Sequence, residues 1–233
     1  GRLDAARDLY LQALGSFEAA GVKSERAKLL YNVAFLTSPA TRTRIQRIEE
    51  AINAAADLND RRLLGKSNHL LGDTLYNFGD LRSAIARLET ARSLLDTPAD
   101  RGDRARVLIS LGRIYSAHLR PDLARPFYEQ ALAIQRDLGD KQGMVYSLGN
   151  LASTARAERR PEDAATLAAE ALSVARTTGS KSLISNSLNN LAGVRLAAGD
   201  NQAALSLARE SLELQDDNVG PRYLTLGKAH LAL

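Results

Sequence analysis

The sequence repeats itself every forty residues. A leucine followed by a small residue recurs four times at this spacing, an alanine follows each leucine after thirteen residues, and another small residue follows seven residues later. Repeats of this length are typical of stacked supersecondary units, because each unit buries its apolar face only against its neighbours. The repeating positions are Leu71-Gly72, Leu111-Gly112, Leu151-Ala152 and Leu191-Ala192, then Ala84, Ala124, Ala164 and Ala204, and finally Ala91, Ala131, Ala171 and Ser211.

Each repeat predicts two helices. In the last full repeat, Ile184, Leu188 and Leu191 follow one another at helical spacing, Gly199-Asp200 interrupts the pattern, and a second apolar stripe begins at Ala204. The sequence therefore predicts an all-α fold, an α-solenoid of antiparallel helical hairpins with about 12 helices. They are expected near residues 2–20, 24–37, 42–57, 62–78, 81–96, 103–118, 121–137, 143–158, 161–177, 182–198, 201–215 and 221–232.

The whole chain is predicted to be a single array. Five hairpins are expected at 24–58, 62–98, 103–138, 143–178 and 182–216, with half repeats at 1–20 and 221–233. Because neither end carries the polar capping helix that such arrays need, we expect the chain to be an interior part of a longer protein. In the first hairpin the segment 37–41 is two residues shorter than the pattern requires, which predicts a tight Pro-containing connection or, alternatively, a bend or contact loop.

Small residues at fixed phases predict close helix crossings. A glycine inside a helix costs roughly 1 kcal/mol relative to alanine. Glycine at positions 72 and 112 therefore indicates that the packing there has no room for a side chain. Without side-chain bulk, two helix axes can approach to about 8 Å. We therefore expect Gly72 to face Ala84, Gly112 to face Ala124, and their counterparts in the next two repeats to do the same.

The residues at these phases resemble the tetratricopeptide repeat, and in particular its forty-residue variety. The resemblance is carried by Asn150-Leu151-Ala152, Pro161, Ala164, Ala171-Leu172 and Gly179, and it covers essentially the whole chain. It implies a right-handed superhelix whose first helices line a concave groove, and a function in binding an extended or helical peptide. Similar arrays occur in bacterial transcription activators, peptide-sensing regulators, caspase-like proteases and kinesin light chains. The Lys partners of the chaperone-binding subtype are missing, so chaperone binding is not predicted.

The groove face can be deduced from helical geometry. Side chains opposite the repeating leucine of each first helix form one exposed strip. Asparagine is informative there, because it is about 0.6 kcal/mol less favourable than alanine in a helix, yet its carboxamide donates and accepts hydrogen bonds together. The resemblance implies that such amides hold a partner's backbone. The alternative, that they tie one hairpin to the next, stays open for Asn150 and Asn190 and is favoured for Asn32.

Arginines on the same strip predict a basic wall. Arg106 and Arg113 lie two helical turns apart, and Arg156 follows one repeat later, which suggests an acidic partner segment or, alternatively, ordinary solvated charge. His69 and Asp73 have a spacing that suits two metal ligands, but a hydrogen bond or ion pair explains them better. The predicted peptide- or partner-binding residues are Asn32, His69, Asp73, Arg106, Arg113, Tyr146, Asn150, Arg156, Asn186, Asn189 and Asn190.

Composition argues against several functions. A net charge of +4 without a basic stripe disfavours direct contact with nucleic acid. The chain has no Cys, and no apolar run approaches the ~20 residues that span a bilayer. No His-centred constellation suggests catalysis in a closed pocket. We therefore expect no enzyme activity, no cofactor, no metal and no membrane partner, and a cytoplasmic location.

Three functions remain from the sequence. The first is a protein–protein interaction scaffold that binds a peptide, a partner domain or another domain of the same chain in its groove. The alternative is a regulatory sensor domain, in which a short peptide or small ligand controls an attached transcription regulator, ATPase or protease. An architectural array that packs against its own copies is a third possibility.

Overall fold

The computed structural model describes residues 2–39, 41–118 and 120–214, and all of the regular structure in these ranges is helical. Each helix begins and ends within two residues of its predicted bounds, while the predicted helix 221–232 lies outside the described residues. The helices are α1 (Arg2–Ala19), α2 (Lys23–Leu36), α3 (Arg42–Asp57), α4 (Arg61–Asn77), α5 (Leu81–Leu94), α6 (Arg101–Ala117), α7 (Pro121–Leu138), α8 (Lys141–Ala157), α9 (Pro161–Thr178), α10 (Lys181–Ala197) and α11 (Asn201–Glu213), with a short 3₁₀ helix at Pro98–Asp100.

The chain divides into two compact units, residues 1–114 (unit 1) and residues 115–233 (unit 2). In unit 1, consecutive helices from α1 to α5 pack against each other, and α2 also contacts α4. In unit 2, consecutive helices from α7 to α11 pack in the same way, and α8 also contacts α10. The first helices of successive hairpins therefore lie side by side within each unit, as the repeat predicts.

The repeating positions form the core. All of the leucines and small residues that recur every forty residues are buried. A Cβ atom added to Gly72 would lie 2.7 Å from Cγ of Leu88 and 3.1 Å from the carbonyl oxygen of Ala84. The expected close approach of Gly72 to Ala84 is thus confirmed, and Ala152 and Ala164 share one apolar cluster in unit 2.

Short turns end the helices by local chemistry. Gly79 and Gly199 have φ values of 82° and 80°, a left-handed conformation that glycine adopts without strain. The next residue, Asp80 or Asp200, caps the following helix by accepting a hydrogen bond from a backbone N–H of its first turn. Near the shortened segment, the buried Arg44 of α3 donates a hydrogen bond to the carbonyl oxygen of Thr37 at 3.0 Å.

Within the described ranges, none of the helices combines the length and the apolar character that crossing a bilayer requires.

Candidate functional site

The structure distributes the predicted binding residues over three clefts. Five of them line a cleft between α8 and α10 in unit 2, here called the asparagine cleft: Tyr146, Asn150, Asn186, Asn189 and Asn190. Four line a cleft among α2, α4 and α6 in unit 1, the aromatic cleft: Asn32, His69, Asp73 and Arg106. Arg113 contacts this second cleft through Asp73. Arg156 borders a third cleft, at the end of α8.

The asparagine cleft has a volume of about 280 Å³ and exists because two first helices approach closely. Gly149 of α8 has no side chain, and a Cβ atom there would lie 3.0 Å from Nδ2 of Asn190. The Asn190 amide uses this space to donate a hydrogen bond to the carbonyl oxygen of Gly149 at 3.2 Å. This hydrogen bond links Asn190 to the preceding hairpin.

Two other polar atoms at the same cleft lack a hydrogen-bond partner among the described residues. The Asn189 carboxamide oxygen and the Ser187 hydroxyl are both buried without a hydrogen bond to any described residue. Ser187 is only 4% exposed. An unsatisfied buried polar group costs about 1–3 kcal/mol, so two of them beside one cleft are unusual in a native protein. The Asn150 side chain lines the cleft next to them, and the half-exposed Tyr146 ring lies at its rim.

The aromatic cleft is larger, about 490 Å³, and mixes rings with charges. Tyr31 and Phe35 stack with ring centroids 6.4 Å apart, and the ammonium group of Lys66 lies 4.9 Å above the Tyr31 ring. Sequence reasoning did not assign Tyr31 or Phe35 to a site, whereas Lys66 lies on the exposed strip that it predicted for the first helix of this hairpin. The one-turn spacing of Tyr31 and Phe35 beside Asn32 is the signal that was available.

Arg106 and Arg113 are both paired with carboxylates. Arg106 donates a hydrogen bond to Asp103 at 2.7 Å, and Arg113 donates one to Asp73, also at 2.7 Å. The two positive charges that the sequence assigned to a basic wall are therefore compensated inside unit 1.

The His69 imidazole contacts two polar side chains of unit 1. Its Nε2 atom lies 3.0 Å from the hydroxyl of Ser110 and 3.5 Å from a carboxylate oxygen of Asp73. Burial lowers the pKa of the imidazole below its usual 6.5, so the ring is neutral at pH 7. Among the residues that the structure describes, no group of three or more His, Asp or Glu side chains is placed to hold a metal ion.

The third cleft, here called the arginine cleft, lies where α8 ends and α9 begins. Its volume is about 300 Å³, and Arg156 and Arg159 border an apolar floor that includes Pro161, Ala164 and Val194. Arg159 has a φ of 59°, in the left-handed region. Sequence reasoning missed this residue, although it stands forty residues from Gly199 and eighty from Gly79, where the pattern has glycine.

A model of the tetratricopeptide repeat matches residues 63–137 and 143–217, which is more than half of the chain. The chain belongs to the tetratricopeptide repeat family. The two matched segments cover α4 to α7 and α8 to α11, apart from one or two residues at the ends of α4, α7 and α8. Tetratricopeptide repeat proteins are generally non-enzymatic, and this one is a protein-interaction repeat scaffold.

Solved structures of other proteins share the fold of this tetratricopeptide repeat protein. BtubC (BKLC) from P. vanneervenii is 18% identical with a TM-score of 0.78, and the match covers 94% of this chain and 95% of that one. The apo form of RapI is 14% identical with a TM-score of 0.69, over 99% and 71%. A Rap protein complexed with Competence and Sporulation Factor is 16% identical with a TM-score of 0.62, over 98% and 68%. No curated protein matches the chain by sequence.

Proposed function

We propose that the chain binds an extended segment of a partner protein, and that the asparagine cleft holds the backbone of that segment. The observation that carries the proposal is the pair of unpartnered polar groups in the cleft, the Asn189 carboxamide oxygen and the Ser187 hydroxyl. Asn189 as a whole is only half-buried, so a turn of its carboxamide towards the cleft would let the oxygen accept a peptide N–H, which would relieve the cost of leaving it unsatisfied.

The chemistry of the cleft suits a peptide bond of any sequence. A carboxamide offers one acceptor and two donor hydrogens, so Asn150 and Asn189 can together engage both the N–H and the C=O groups of an extended chain. The volume of about 280 Å³ is small for a binding site, so the cleft itself would hold a short stretch, and the rest of the partner would lie along α8 and α10.

The proposal can be tested with peptides selected from a random dodecapeptide phage library on the immobilised chain. The Kd of a selected synthetic peptide is then measured by calorimetry for the wild type and for Asn150→Ala with Asn189→Ala. Losing two hydrogen bonds of about 1 kcal/mol each should raise the Kd tenfold or more. Asn53→Ala is the matched control, since Asn53 is an exposed helical asparagine on α3.

Thermal melts separate a binding role from a structural one. Asn189→Ala removes a buried group without a partner and should leave the melting temperature unchanged or higher. Asn190→Ala removes the hydrogen bond to Gly149 and should lower it. If Asn189→Ala lowers the melting temperature and leaves the Kd unchanged, the carboxamide is structural and the proposal is wrong.

A regulatory sensor is the second candidate. It is supported by the fold shared with a Rap protein complexed with Competence and Sporulation Factor. A sensor changes conformation when its ligand binds, because the ligand favours one of two states. Small-angle scattering of the chain with and without a selected peptide distinguishes the two functions: a changed radius of gyration favours the sensor, and an unchanged one favours the scaffold.

A further inference from the structure

The conformation of Arg159 is the starting point. The N–H of Arg159 donates to the carbonyl oxygen of Arg156, and the N–H of Arg160 donates to that of Ala155. The N–H groups of Gly79-Asp80 and of Gly199-Asp200 make the equivalent pairs of hydrogen bonds at the ends of α4 and α10. Arg159, Gly79 and Gly199 all have positive φ. A left-handed conformation is unfavourable for a residue with a Cβ atom, so an arginine here costs stability that a glycine would not.

The charge of Arg159 has no partner inside the described structure. Neither Arg156 nor Arg159 has a carboxylate within 4 Å among the described residues. Of the acids nearest in sequence, Glu158 pairs with Arg125 and Arg160, and Asp163 pairs with Arg160. The exposed Glu162 makes no ion pair with either arginine in the described structure. Hydrogen bonds from Arg125 hold the pKa of Glu158 below its usual value, which keeps this carboxylate ionised and engaged. The arginine cleft thus presents two uncompensated guanidinium groups beside an apolar floor.

We infer that the arginine cleft binds an acidic side chain of the partner segment. Guanidinium groups bind carboxylates through paired, charge-assisted hydrogen bonds, and the strained backbone of Arg159 is explained by the position of its side chain at the cleft. The inference rests on the proposed function, since the same segment would occupy both clefts.

Helix geometry adds a constraint on the ligand. Asn150 and Arg156 are six residues apart on α8, or about 9 Å along the axis at 1.5 Å per residue, and at 3.6 residues per turn they also differ by roughly 120° around it. An extended peptide needs about three residues at 3.3 Å each to cover the axial distance alone. The acidic residue should therefore lie at least three residues from the stretch whose backbone Asn150 and Asn189 hold.

The probe is a pair of N-acetylated, C-amidated octapeptide libraries, one with Glu and one with Gln at the fourth position, the other positions being randomised among uncharged residues. Retention on the immobilised full chain is measured by mass spectrometry. The wild type should retain the Glu library about tenfold more than the Gln library, because a tenfold difference in affinity corresponds to the free energy of about one charge-assisted hydrogen bond.

Arg159→Gly is the decisive variant, because its effects on stability and on binding should have opposite signs. It should melt a few degrees higher, since glycine adopts the left-handed conformation freely, and it should lose the preference for Glu. Arg82→Ala removes the same charge from an exposed position of α5 and should keep the preference.

The two proposals fail in different ways. Asn150→Ala with Asn189→Ala should weaken retention of both libraries by the same factor and keep the Glu preference. Equal retention of both libraries by the wild type, or an undiminished preference in Arg159→Gly, overturns the arginine site and leaves the asparagine cleft standing. No retention of either library by the wild type overturns both.

Discussion

Glycines inside the helices of this chain are not equivalent, because the space around them differs. Gly72 faces Leu88, which is fully buried, and an added Cβ would lie 2.7 Å from its Cγ atom. Gly193 faces only the end of the flexible Arg156 side chain, at 3.4 Å. Helix propensity favours alanine over glycine by roughly 1 kcal/mol at both positions. Packing therefore decides whether a side chain added at each position raises or lowers the free energy of unfolding.

We expect Gly72→Leu to lower the free energy of unfolding by about 1–3 kcal/mol, because the extra atoms overpack a closed helix crossing. Gly193→Ala, the matched control, should raise it by about 1 kcal/mol, since nothing rigid opposes the methyl group. Chemical denaturation of both variants measures the difference. An unchanged midpoint for Gly72→Leu would contradict the close crossing of α4 and α5.

At the scale of the element, the turn between α8 and α9 is stabilised differently from its counterparts. Where two other hairpins have a Gly-Asp pair that ends one helix and caps the next, this turn has Arg159-Arg160, and no side chain caps α9. Ion pairs compensate, because Glu158 links Arg125 of α7 to the turn. The Glu158 and Arg125 side chains are each only 18% exposed, so solvent screens them less than a surface pair.

Glu158→Gln should therefore destabilise the protein in a pH-dependent way. Hydrogen bonds from Arg125 lower the pKa of Glu158 below 4.5 in the folded state. Its contribution is thus present above the unfolded pKa and is lost as the pH falls through the folded pKa. We expect a loss of about 1 kcal/mol at pH 7 that disappears at low pH, seen in melting temperatures from pH 7 to pH 3.

The control for this prediction is Asp96→Asn, which removes the exposed ion pair with Arg61. A surface pair contributes little, so this variant should melt like the wild type at both pH values. A pH-independent loss in Glu158→Gln would show that the side chain matters by packing and not by charge.

At the scale of the whole molecule, stability should be local. Each hairpin packs mainly on its neighbours within its unit, and repeat arrays of this kind approach a chain of nearest-neighbour interactions. A defect in one hairpin should consequently lower the opening free energy nearby and leave distant hairpins near their original values.

Hydrogen exchange of Gly72→Leu tests this locality. The loss of protection should be largest in α4 and α5 and should be absent from α9 and α10. Leu188→Ala, which opens a cavity in the fully buried core of unit 2, should give the reverse pattern. A uniform loss of protection in either variant would instead indicate one cooperative globule.

The forty-residue period was enough to predict the helices, their order and the buried positions, because each of these depends on local periodicity and on contacts that every repeat makes again. The same period also places one ion pair between successive hairpins. Asp73 and Arg113 are forty residues apart, so they occupy the same phase in successive hairpins, and their ion pair was open to prediction.

Other features needed the tertiary structure. Asn189 and Asn190 are adjacent residues of the same type. The Asn190 amide donates a hydrogen bond to the carbonyl oxygen of Gly149, whereas the Asn189 carboxamide oxygen is buried without a partner among the described residues. Their difference comes from the direction of each side chain and from the absence of a side chain at Gly149. A hydrogen bond or an ion pair between helices forms only if its two atoms are placed to within a fraction of an ångström. The period of a sequence does not specify positions with that precision.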